Sequence, residues 1–359
     1  MNYRQAYYSE PLIKDIKSEN SFVLNEDPGE TEKLINDSIV RRDLKLPEVS
    51  EFDVVRHYTR LSEMNYTVDL GMYPLGSCTM KFNPKYADRI SSMDSFRNVH
   101  PLQPSSTVQG TLKVMYEMQE YLKKISDMDA ATLQPMAGAD GEFTGILIVR
   151  KYFEYKKEKR TEIIIPDSAH GTNPASATMG GFDAVEVPSD ERGMINLDAL
   201  KAAISEKTAA LMITNPNTLG IFEQNIVEIA KMLHEAGALL YYDGANLNAN
   251  FGITSPGIMG FDIVHFNLHK SFGTPHGGGG PGSGPVAVKS FLKDFLPVPI
   301  VVFDGKRYSL DYSLKNTIGR VSSFYGSFSV VLRAWSYVTY NGEDGLKNAS
   351  VRAVLNSNY

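Results

Sequence analysis

The chain has 359 residues, of which 42% are hydrophobic and 22% are charged, and its formal net charge is −6. This composition is that of an ordinary globular protein with about two domains, or with one large α/β domain and additions. The acidic balance argues against a nucleic-acid partner, and no apolar run approaches the ~20 residues that cross a bilayer. The single cysteine, Cys78, excludes an intramolecular disulfide and a zinc cluster built on cysteines, and it fits a reducing cytosol.

The first third of the chain predicts an arm and two helices. Residues 1–50 are polar and weakly periodic, and they lack the apolar core of a signal peptide. A helix is predicted over residues 50–65, because Ser50 can cap it and apolar residues follow at intervals of three or four. A loop rich in glycine and proline follows at residues 71–84, and a second amphipathic helix is predicted over residues 106–125.

From about residue 130, short apolar runs alternate with amphipathic segments. Two of these segments predict helices, over residues 197–206 and 225–237, and Gly237 closes the second as a C-cap. Near-continuous apolar strands separated by helices are typical of a mostly parallel sheet covered on both faces. The predicted strands span residues 161–166, 183–188, 209–214, 237–242, 262–268 and 284–289.

Polar side chains follow several of these runs at the points where they end. His170 comes after the first run, Asp243 after the fourth, and His269 and Lys270 after the fifth. In open α/β sheets ligands bind beyond the carboxyl ends of the strands, so an imidazole, a carboxylate and an amine are predicted on one edge. Each alone has an ordinary explanation, because a strand-end aspartate can cap a helix, a lysine can be solvated and a histidine can be a structural hydrogen-bonder.

Together these groups solve one chemical problem, which is to hold pyridoxal phosphate. A lysine amine forms a Schiff base with the aldehyde, an aspartate pairs with the pyridine nitrogen, and an imidazole stacks on the ring. The phosphate needs backbone N–H groups, which the start of a helix supplies well. The loop at residues 137–141 precedes a helix predicted to begin near Glu142 and meets that need, with an ordinary glycine-rich turn as the alternative.

Three other kinds of site match the stretch around Lys270 less well. His265 and His269 are four residues apart, as in a zinc protease helix, but Phe266 stands where the general-base glutamate should be, and the segment predicts a strand. The run "HGGGG" (276–280) imitates an esterase oxyanion loop, yet the chain has no Gly-x-Ser-x-Gly. The glycines that match a dinucleotide loop precede a strand and not a helix. No metal site is therefore predicted.

These residues lie in six long and unusual stretches of sequence. The stretches are "HYTRLSEMNYTVDLGMYPLGSCTMKFNP" (57–84), "AGADGEFTG" (137–145), "DSAHGTNPASA" (167–177), "TNPNTLGIFE" (214–223), "YYDGANLNA" (241–249) and "NLHKSFGTPHGGGGPGSGP" (267–285). Over nearly the whole chain they resemble one family, the second subunit of the two-subunit glycine dehydrogenase (decarboxylating), which is the P-protein of the glycine cleavage system. The resemblance implies a fold-type I pyridoxal phosphate enzyme.

The same resemblance assigns roles to residues. It implies that Lys270 is the Schiff-base lysine, that Asp243 pairs with the pyridine nitrogen and that His170 stacks on the ring. The other positions that match the family's cofactor pocket are Gly138, Ala139 and Asp140 in the phosphate loop, Thr214 and Asn215 near the phenolic side of the cofactor, and His269 beside the phosphate.

The implied activity is the decarboxylation of glycine. The carboxylate leaves perpendicular to the cofactor ring, and the aminomethyl group passes to the lipoyl arm of H-protein. The resemblance also implies a cytoplasmic enzyme with a separate first subunit, in two copies of each. The alternatives are another fold-type I decarboxylase or lyase, and a catalytically silent partner subunit, against which the joint presence of Lys270, Asp243 and His170 argues.

The predicted organisation has three parts. An N-terminal arm with helices spans residues 1–105, a large pyridoxal phosphate-binding domain spans 106–335, and the start of a C-terminal domain spans 336–359. Chains of this family continue into a smaller C-terminal domain that often completes the substrate side of the pocket, and we expect this sequence to lack it. Cys78 is expected near the active-site entrance, either as a buried small residue or as a redox-sensitive thiol.

Overall fold

A computed structural model describes residues 10–16, 36–41, 43, 46–71, 81–276 and 282–359. The predictions made for Cys78 and for most of the "HGGGG" run lie outside these residues. The chain divides into two compact units, Met1–Pro74 and Leu75–Tyr359. In the described part of the chain, no helix combines the length and the apolar character that crossing a bilayer requires.

The smaller unit contains the helix predicted after the N-terminal arm. This helix, α1 (Glu51–Glu63), follows Ser50, whose side chain accepts a hydrogen bond from the backbone N–H of Asp53 at 3.2 Å. Such a cap typically stabilises a helix by ~1 kcal/mol. Two short 3-10 helices, Ile13–Asp15 and Asp37–Ile39, precede α1.

Among the described residues, nine strands form two sheets in the larger unit. They are β1 (Ala130–Thr132), β2 (Glu162–Pro166), β3 (Asp183–Val187), β4 (Thr208–Ile213), β5 (Leu239–Gly244), β6 (Ile263–Phe266), β7 (Val286–Val288), β8 (Ile300–Phe303) and β9 (Tyr308–Asp311). Seven of them form a sheet in the order β1-β7-β6-β5-β4-β2-β3. The strands from β6 to β3 in this order are parallel. At the other edge β7 pairs antiparallel with both β6 and β1, so β7 alone among the seven described strands runs in the opposite direction. The predicted mostly parallel sheet is confirmed.

The central strands of this sheet are apolar on both faces. In β5, Leu240 and Tyr242 belong to one buried cluster, and Leu239 and Tyr241 belong to another. Successive side chains of a strand point to opposite faces, so the two clusters lie on the two sides of the sheet. Near-continuous apolar runs are therefore what this sheet requires of its sequence.

Helices supply the layers that cover the sheet. Those of the larger unit are α2 (Lys85–Ser91), α3 (Asp94–Arg97), α4 (Gln109–Ser126), α5 (Gly138–Lys156), α6 (Thr172–Met179), α7 (Leu197–Ala203), α8 (Ile226–Glu235), α9 (Leu268–Ser271) and α10 (Phe328–Asn358). The predicted helices α4, α7 and α8 are confirmed, and Gly237 ends α8 with a left-handed φ of 72°. Helix α5 lies unusually close to the sheet, since a Cβ at Gly145 would stand 2.2 Å from the ring of Tyr241.

The predicted start of α5 near Glu142 is wrong, because the helix begins at Gly138. The carboxylate of Asp140 accepts a hydrogen bond from the backbone N–H of Met136 at 2.8 Å. This bond satisfies a backbone donor just before the helix, so the glycine-rich stretch forms the first helical turn instead of a loop.

The strand predicted over residues 262–268 is also too long. It ends at Phe266, and the backbone N–H of Lys270 then donates to the carbonyl oxygen of Asn267 at 2.9 Å, which begins the short helix α9. Lys270 therefore lies on a helical turn directly after β6.

Candidate active site

Three predicted cofactor residues lie at the carboxyl edge of the parallel strands. His170 follows β2, Asp243 is near the end of β5, and Lys270 lies on α9 after β6. Strands β5 and β6 are neighbours, with Asp243 opposite His265 in register. Asp243 and Lys270 therefore belong to adjacent strand ends, at the edge where such sheets bind ligands.

Asp243 is a buried carboxylate, 3% exposed, that is held by three donors of the described chain. Its Oδ1 accepts from the backbone N–H of Ala245 at 3.0 Å and lies 3.2 Å from His265 Nε2. Its Oδ2 accepts from Asn173 Nδ2 at 3.0 Å. Burial raises the pKa of the Asp243 carboxyl, but His265, these hydrogen bonds and the charge of Lys270 outweigh burial and lower the pKa overall. The carboxylate is thus kept charged although it is buried.

A histidine and a tyrosine extend the hydrogen-bonded network behind Asp243. His265 is 1% exposed, and its Nδ1 lies 3.1 Å from the hydroxyl oxygen of the buried Tyr241. The same hydroxyl lies 3.1 Å from the backbone carbonyl oxygen of Glu142, to which it can donate. Burial raises the pKa of Tyr241 well above its ordinary value, and the charges of Glu142 and Asp243 raise it further. The hydroxyl is therefore neutral.

The side chains of Glu142, Asp243 and His265 also offer ligand-type atoms within 4.8 Å of one another. The 3.2 Å contact between His265 Nε2 and Asp243 Oδ1 has the length of a hydrogen bond. Asp243 already accepts two other hydrogen bonds, from Ala245 and Asn173. We therefore interpret this trio as part of a hydrogen-bonded network and not as a metal centre.

His170 is exposed, but the start of α6 fixes the direction of its ring. His170 Nδ1 lies 2.8 Å from Thr172 Oγ1 and 3.2 Å from the backbone nitrogen of Thr172. The Thr172 hydroxyl in turn donates to Glu142 Oε2 at 2.8 Å. Because Asn173, the next residue, reaches Asp243, one end of α6 connects the imidazole and the buried carboxylate.

A cluster of basic side chains surrounds α9, formed by Lys81, His269, Lys270 and His276. Lys81 Nζ donates to the backbone carbonyl oxygens of His269 and Thr274. Burial lowers the pKa of Lys81 to about 8. Burial also lowers the pKa of His269 to about 4, and the charges of His276, Lys270 and Lys81 add to the effect. Burial and mutual repulsion therefore disfavour the protonated forms in the free chain, and an anionic ligand would relieve that repulsion.

The predicted phosphate loop is packed tightly between two other segments. A Cβ at Gly138 would lie 2.3 Å from Asn267 Oδ1, and a Cβ at Gly141 would lie 2.2 Å from the carbonyl oxygen of Gly284. Glycine is therefore required at Gly141, where the neighbour is backbone, whereas a larger residue at Gly138 would have to displace the side chain of Asn267. The predicted phosphate-loop residues are Gly138, which is buried, Ala139, which is exposed, and Asp140, which is half-buried.

Thr214 follows β4 at the same edge of the sheet. It lines a cavity of about 10 Å³ together with Ser168 and Asn217. The contacts of the described residues do not join it to Asp243 or Lys270, so its cofactor role stays a prediction. Its neighbour Asn215 is buried, and Tyr242 donates its hydroxyl to the Asn215 carbonyl oxygen on the face opposite Tyr241.

The donor set fits pyridoxal phosphate. The segments described above carry an amine (Lys270), a charged buried carboxylate (Asp243), an exposed imidazole (His170) and the start of α5. Buried polar groups are seldom left unpaired. Several buried polar atoms that adjoin Asp243, the start of α5 or α9 nevertheless have no hydrogen-bond partner in the described chain. They are Glu142 Oε1, Asn173 Oδ1, Asn267 Oδ1, His269 Nδ1, Thr274 Oγ1 and Ser283 Oγ.

Four residues of this site were not predicted from the sequence, although three left a signal. Asn173 lies in the stretch 167–177 that contains His170, and Lys81 lies in the stretch 57–84 that contains Cys78. His265 is a polar residue within an otherwise apolar strand. A polar residue inside a buried strand needs a partner, and the register of β5 with β6 shows that the partner of His265 is Asp243. Tyr241 gave no comparable signal, because tyrosine is common in buried strands.

Comparisons with known proteins show which proteins this chain is similar to. A family model for class-V aminotransferases matches residues 141–280. The chain is 79% identical over 359 residues to a protein of Thermoplasma acidophilum named "Probable glycine dehydrogenase (decarboxylating) subunit 2", covering 100% of this chain and 76% of that protein. A protein of the same name from Thermococcus gammatolerans is 56% identical over 363 residues, with 99% and 72% covered.

One solved structure shares the fold at much lower identity. It is a glycine decarboxylase (P-protein) of the glycine cleavage system in inhibitor-bound form. The two superpose with a TM-score of 0.74 at 22% sequence identity, over 89% of this chain and 74% of that chain. The predicted fold-type I architecture is confirmed.

Proposed function

The chain belongs to the family of glycine dehydrogenase (decarboxylating) subunit 2, and on that premise we propose that Lys270, Asp243 and His170 form its reaction centre. The enzyme decarboxylates glycine and depends on pyridoxal phosphate. The observation that carries the residue assignment is the placement of Lys270 on the strand end next to a buried carboxylate, Asp243, that the fold keeps charged.

Each residue has a distinct part in holding the cofactor. Lys270 would bind it through its amine, and Asp243 would pair with the pyridine nitrogen and favour a proton there. His170, whose Nδ1 is tied to Thr172, would present a ring face for stacking. The first turn of α5, Gly138 to Asp140, and the side chain of His269 would receive the phosphate, a use of a helix start that suits its unpaired N–H groups.

The chemistry divides between the cofactor and the chain. Bound pyridoxal phosphate supplies an electron sink for the pair released when the bond between the glycine α-carbon and its carboxylate breaks. Asp243 contributes by keeping its negative charge in a buried place, since a neutral carboxyl could not favour a proton on the ring nitrogen. In the cluster around α9, the amines of Lys81 and Lys270 would supply positive charge at the anionic end of the ligand, and the imidazoles, whose pKa is lowered, would offer neutral hydrogen-bonding groups.

As subunit 2, the chain has glycine as its substrate and a partner subunit. We propose in addition that two copies of each subunit assemble, and that the aminomethyl group passes to the lipoyl arm of H-protein, whose disulfide is reduced as carbon dioxide leaves. A cytoplasmic location is part of the proposal, and the single cysteine of the chain suits a reducing compartment.

The proposal is tested by replacing the amine. Wild-type protein should be yellow with added pyridoxal phosphate, and borohydride should fix the cofactor on the peptide that contains Lys270. Lys270→Ala should lose both this attachment and the exchange of bicarbonate with glycine, assayed with H-protein and the first subunit. The matched control is Lys201→Ala, an exposed lysine on α7, which should keep both.

Two outcomes would contradict parts of this proposal. Retained exchange by Lys270→Ala would refute the assignment of the lysine. Wild-type protein that stays colourless and takes up no pyridoxal phosphate would refute the cofactor site.

A further inference from the structure

We propose that His265 is a positioning residue of the reaction centre, which together with Tyr241 holds Asp243 charged and in one orientation toward the ring nitrogen of the cofactor. This inference rests on the proposed function, because it concerns the group with which Asp243 pairs. Three observations support it: the hydrogen bonds that Asp243 already accepts, the positions of the protons on His265, and the charged groups around both residues.

The acceptor count on Asp243 leaves one direction open. An ionised carboxylate has two oxygens, each able to accept about two hydrogen bonds. In the described chain, Oδ1 receives the backbone N–H of Ala245 and His265 Nε2, so it is fully used. Oδ2 receives only Asn173 Nδ2. Oδ2 can therefore still accept a hydrogen bond from a protonated pyridine nitrogen. His265 and the backbone N–H of Ala245, which both hold Oδ1, leave Oδ2 available for it.

The partners of His265 determine where its protons lie. An ionised carboxylate only accepts, so Nε2 must carry the proton that it donates to Asp243 Oδ1. Nδ1 faces the hydroxyl of Tyr241 at 3.1 Å, and that hydroxyl can donate to Nδ1 or accept from it while donating to Glu142. With 1% of the residue exposed, bulk water does not reach either partner. The imidazole therefore cannot turn without leaving two buried polar groups unpaired, which is costly.

The surroundings make this contact necessary for the charge of Asp243. The titratable groups around Asp243 come from four elements: Tyr241 and, on the opposite face, Tyr242 on β5, Glu142 on α5, His265 on β6 and Lys270 on α9. In the described part of the chain, His265 alone among them hydrogen-bonds the carboxylate. Glu142 has the same sign of charge and a buried oxygen, Oε1, without a partner. Without His265, Asp243 would lie near the like charge of Glu142 and would accept one hydrogen bond fewer.

The test uses two amides that imitate different ring nitrogens. In His265→Gln the amide nitrogen stands near the position of Nε2 and keeps the donor to Asp243. In His265→Asn it stands near the position of Nδ1 and keeps only the contact with Tyr241. Cofactor-free protein is titrated with pyridoxal phosphate to give a Kd, and the visible band of the bound cofactor is followed as a function of pH.

We expect His265→Gln to keep a Kd and a pH midpoint close to those of wild type. His265→Asn should raise the Kd about tenfold, the effect of losing one hydrogen bond to a charged group. It should also move the pH midpoint by about one unit, which a purely structural defect would not do. Glutamine is close to histidine in volume and asparagine is one methylene smaller, so a loss of packing could weaken binding by His265→Asn alone. The pH midpoint is therefore the readout that distinguishes the lost hydrogen bond from a packing defect.

The outcomes separate this inference from the proposed function. If His265→Asn binds pyridoxal phosphate with the wild-type midpoint, or if both variants shift equally, the inference is wrong while the Lys270 assignment stands. If wild-type protein binds no pyridoxal phosphate, both fall together. A His265→Asn chain that does not fold beside a His265→Gln chain with a shifted midpoint would also overturn it, because the retained donor would then not be enough.

Discussion

The close contact between the start of α5 and the segment that enters β7 makes Gly284→Ala a sharp perturbation of the proposed phosphate loop. A Cβ at Gly284 would lie 1.9 Å from the carbonyl oxygen of Ala137 and 3.0 Å from the backbone nitrogen of Gly141. Carbon–oxygen contacts normally lie at about 3.3–3.6 Å, so the two backbones must separate by more than about 1 Å. Both neighbours are backbone atoms, so no flexible side chain can absorb the strain.

The size of the effect follows from this geometry. Forcing an extra methyl group into a packed region costs about 1–3 kcal/mol. Because the displaced backbone is the first turn of α5, we expect the affinity for pyridoxal phosphate to fall about tenfold or more, a factor of ten being about 1.4 kcal/mol. The unfolding temperature of the cofactor-free protein should fall by only a few degrees, about 1–2 °C for each kcal/mol, because the unfolding entropy grows with chain length.

The assay is a titration of cofactor-free Gly284→Ala protein with pyridoxal phosphate, read from the visible absorption, beside a calorimetric scan. Gly282→Ala is the matched control, because its Cβ would lie 3.3 Å from the carbonyl oxygen of Met136 and 3.6 Å from His269 Nδ1, contacts that need little movement. Wild-type affinity in Gly284→Ala, or an equal loss in Gly282→Ala, would refute the reasoning.

Two further predictions use groups whose pKa is shifted: His234, outside the reaction centre, and Lys81, beside it. His234 Nε2 donates to Asp262 Oδ2 at 3.0 Å, and this hydrogen bond raises the pKa of His234 above 6.5 despite partial burial. The stabilisation is present below the unfolded-state pKa and is lost as the pH rises through the folded-state pKa. His234→Gln should therefore lower the urea midpoint at about pH 5 and leave it unchanged at about pH 9, and an equal effect at both would contradict the assignment. Burial lowers the pKa of Lys81 from 10.5 to about 8, so between these values the unfolded chain binds more protons and the folded, cofactor-free protein gains stability with rising pH. Lys81→Met should remove this gain, and an unchanged dependence of wild type and variant on pH would show that the amine is not buried.

The sequence was sufficient for the class of fold because the local pattern reflects burial on both faces. Runs such as Ala209 to Ile213 are apolar throughout, and the corresponding strand β4 is buried at every position. The order of the strands was not predictable, because pairing depends on contacts between distant segments. Strand β1 has only three residues and no periodicity, and it is recognisable only beside β7.

The same distinction applies to the site. Lys270, Asp243 and His170 were predictable because each follows a recognisable apolar run, so their common edge follows from the fold class. Lys81 was not, because its carbonyl partner on His269 is 188 residues away along the chain. The role of His265 depends on strand register, which places it opposite Asp243 and which no local pattern encodes.

The absence of space between α5 and β5 at Gly145 has a mechanical consequence. The ring of Tyr241 packs against α5 at Gly145, and the hydroxyl of the same side chain lies 3.1 Å from His265 Nδ1. Helix α5 and the carboxylate of Asp243 are thereby connected through Tyr241 and His265, by one close packing contact and a chain of hydrogen-bonding distances. A ligand that contacts both the first turn of α5 and Asp243 must span the distance between them. Molecules of a different length should therefore bind less well, because they cannot reach both groups at once.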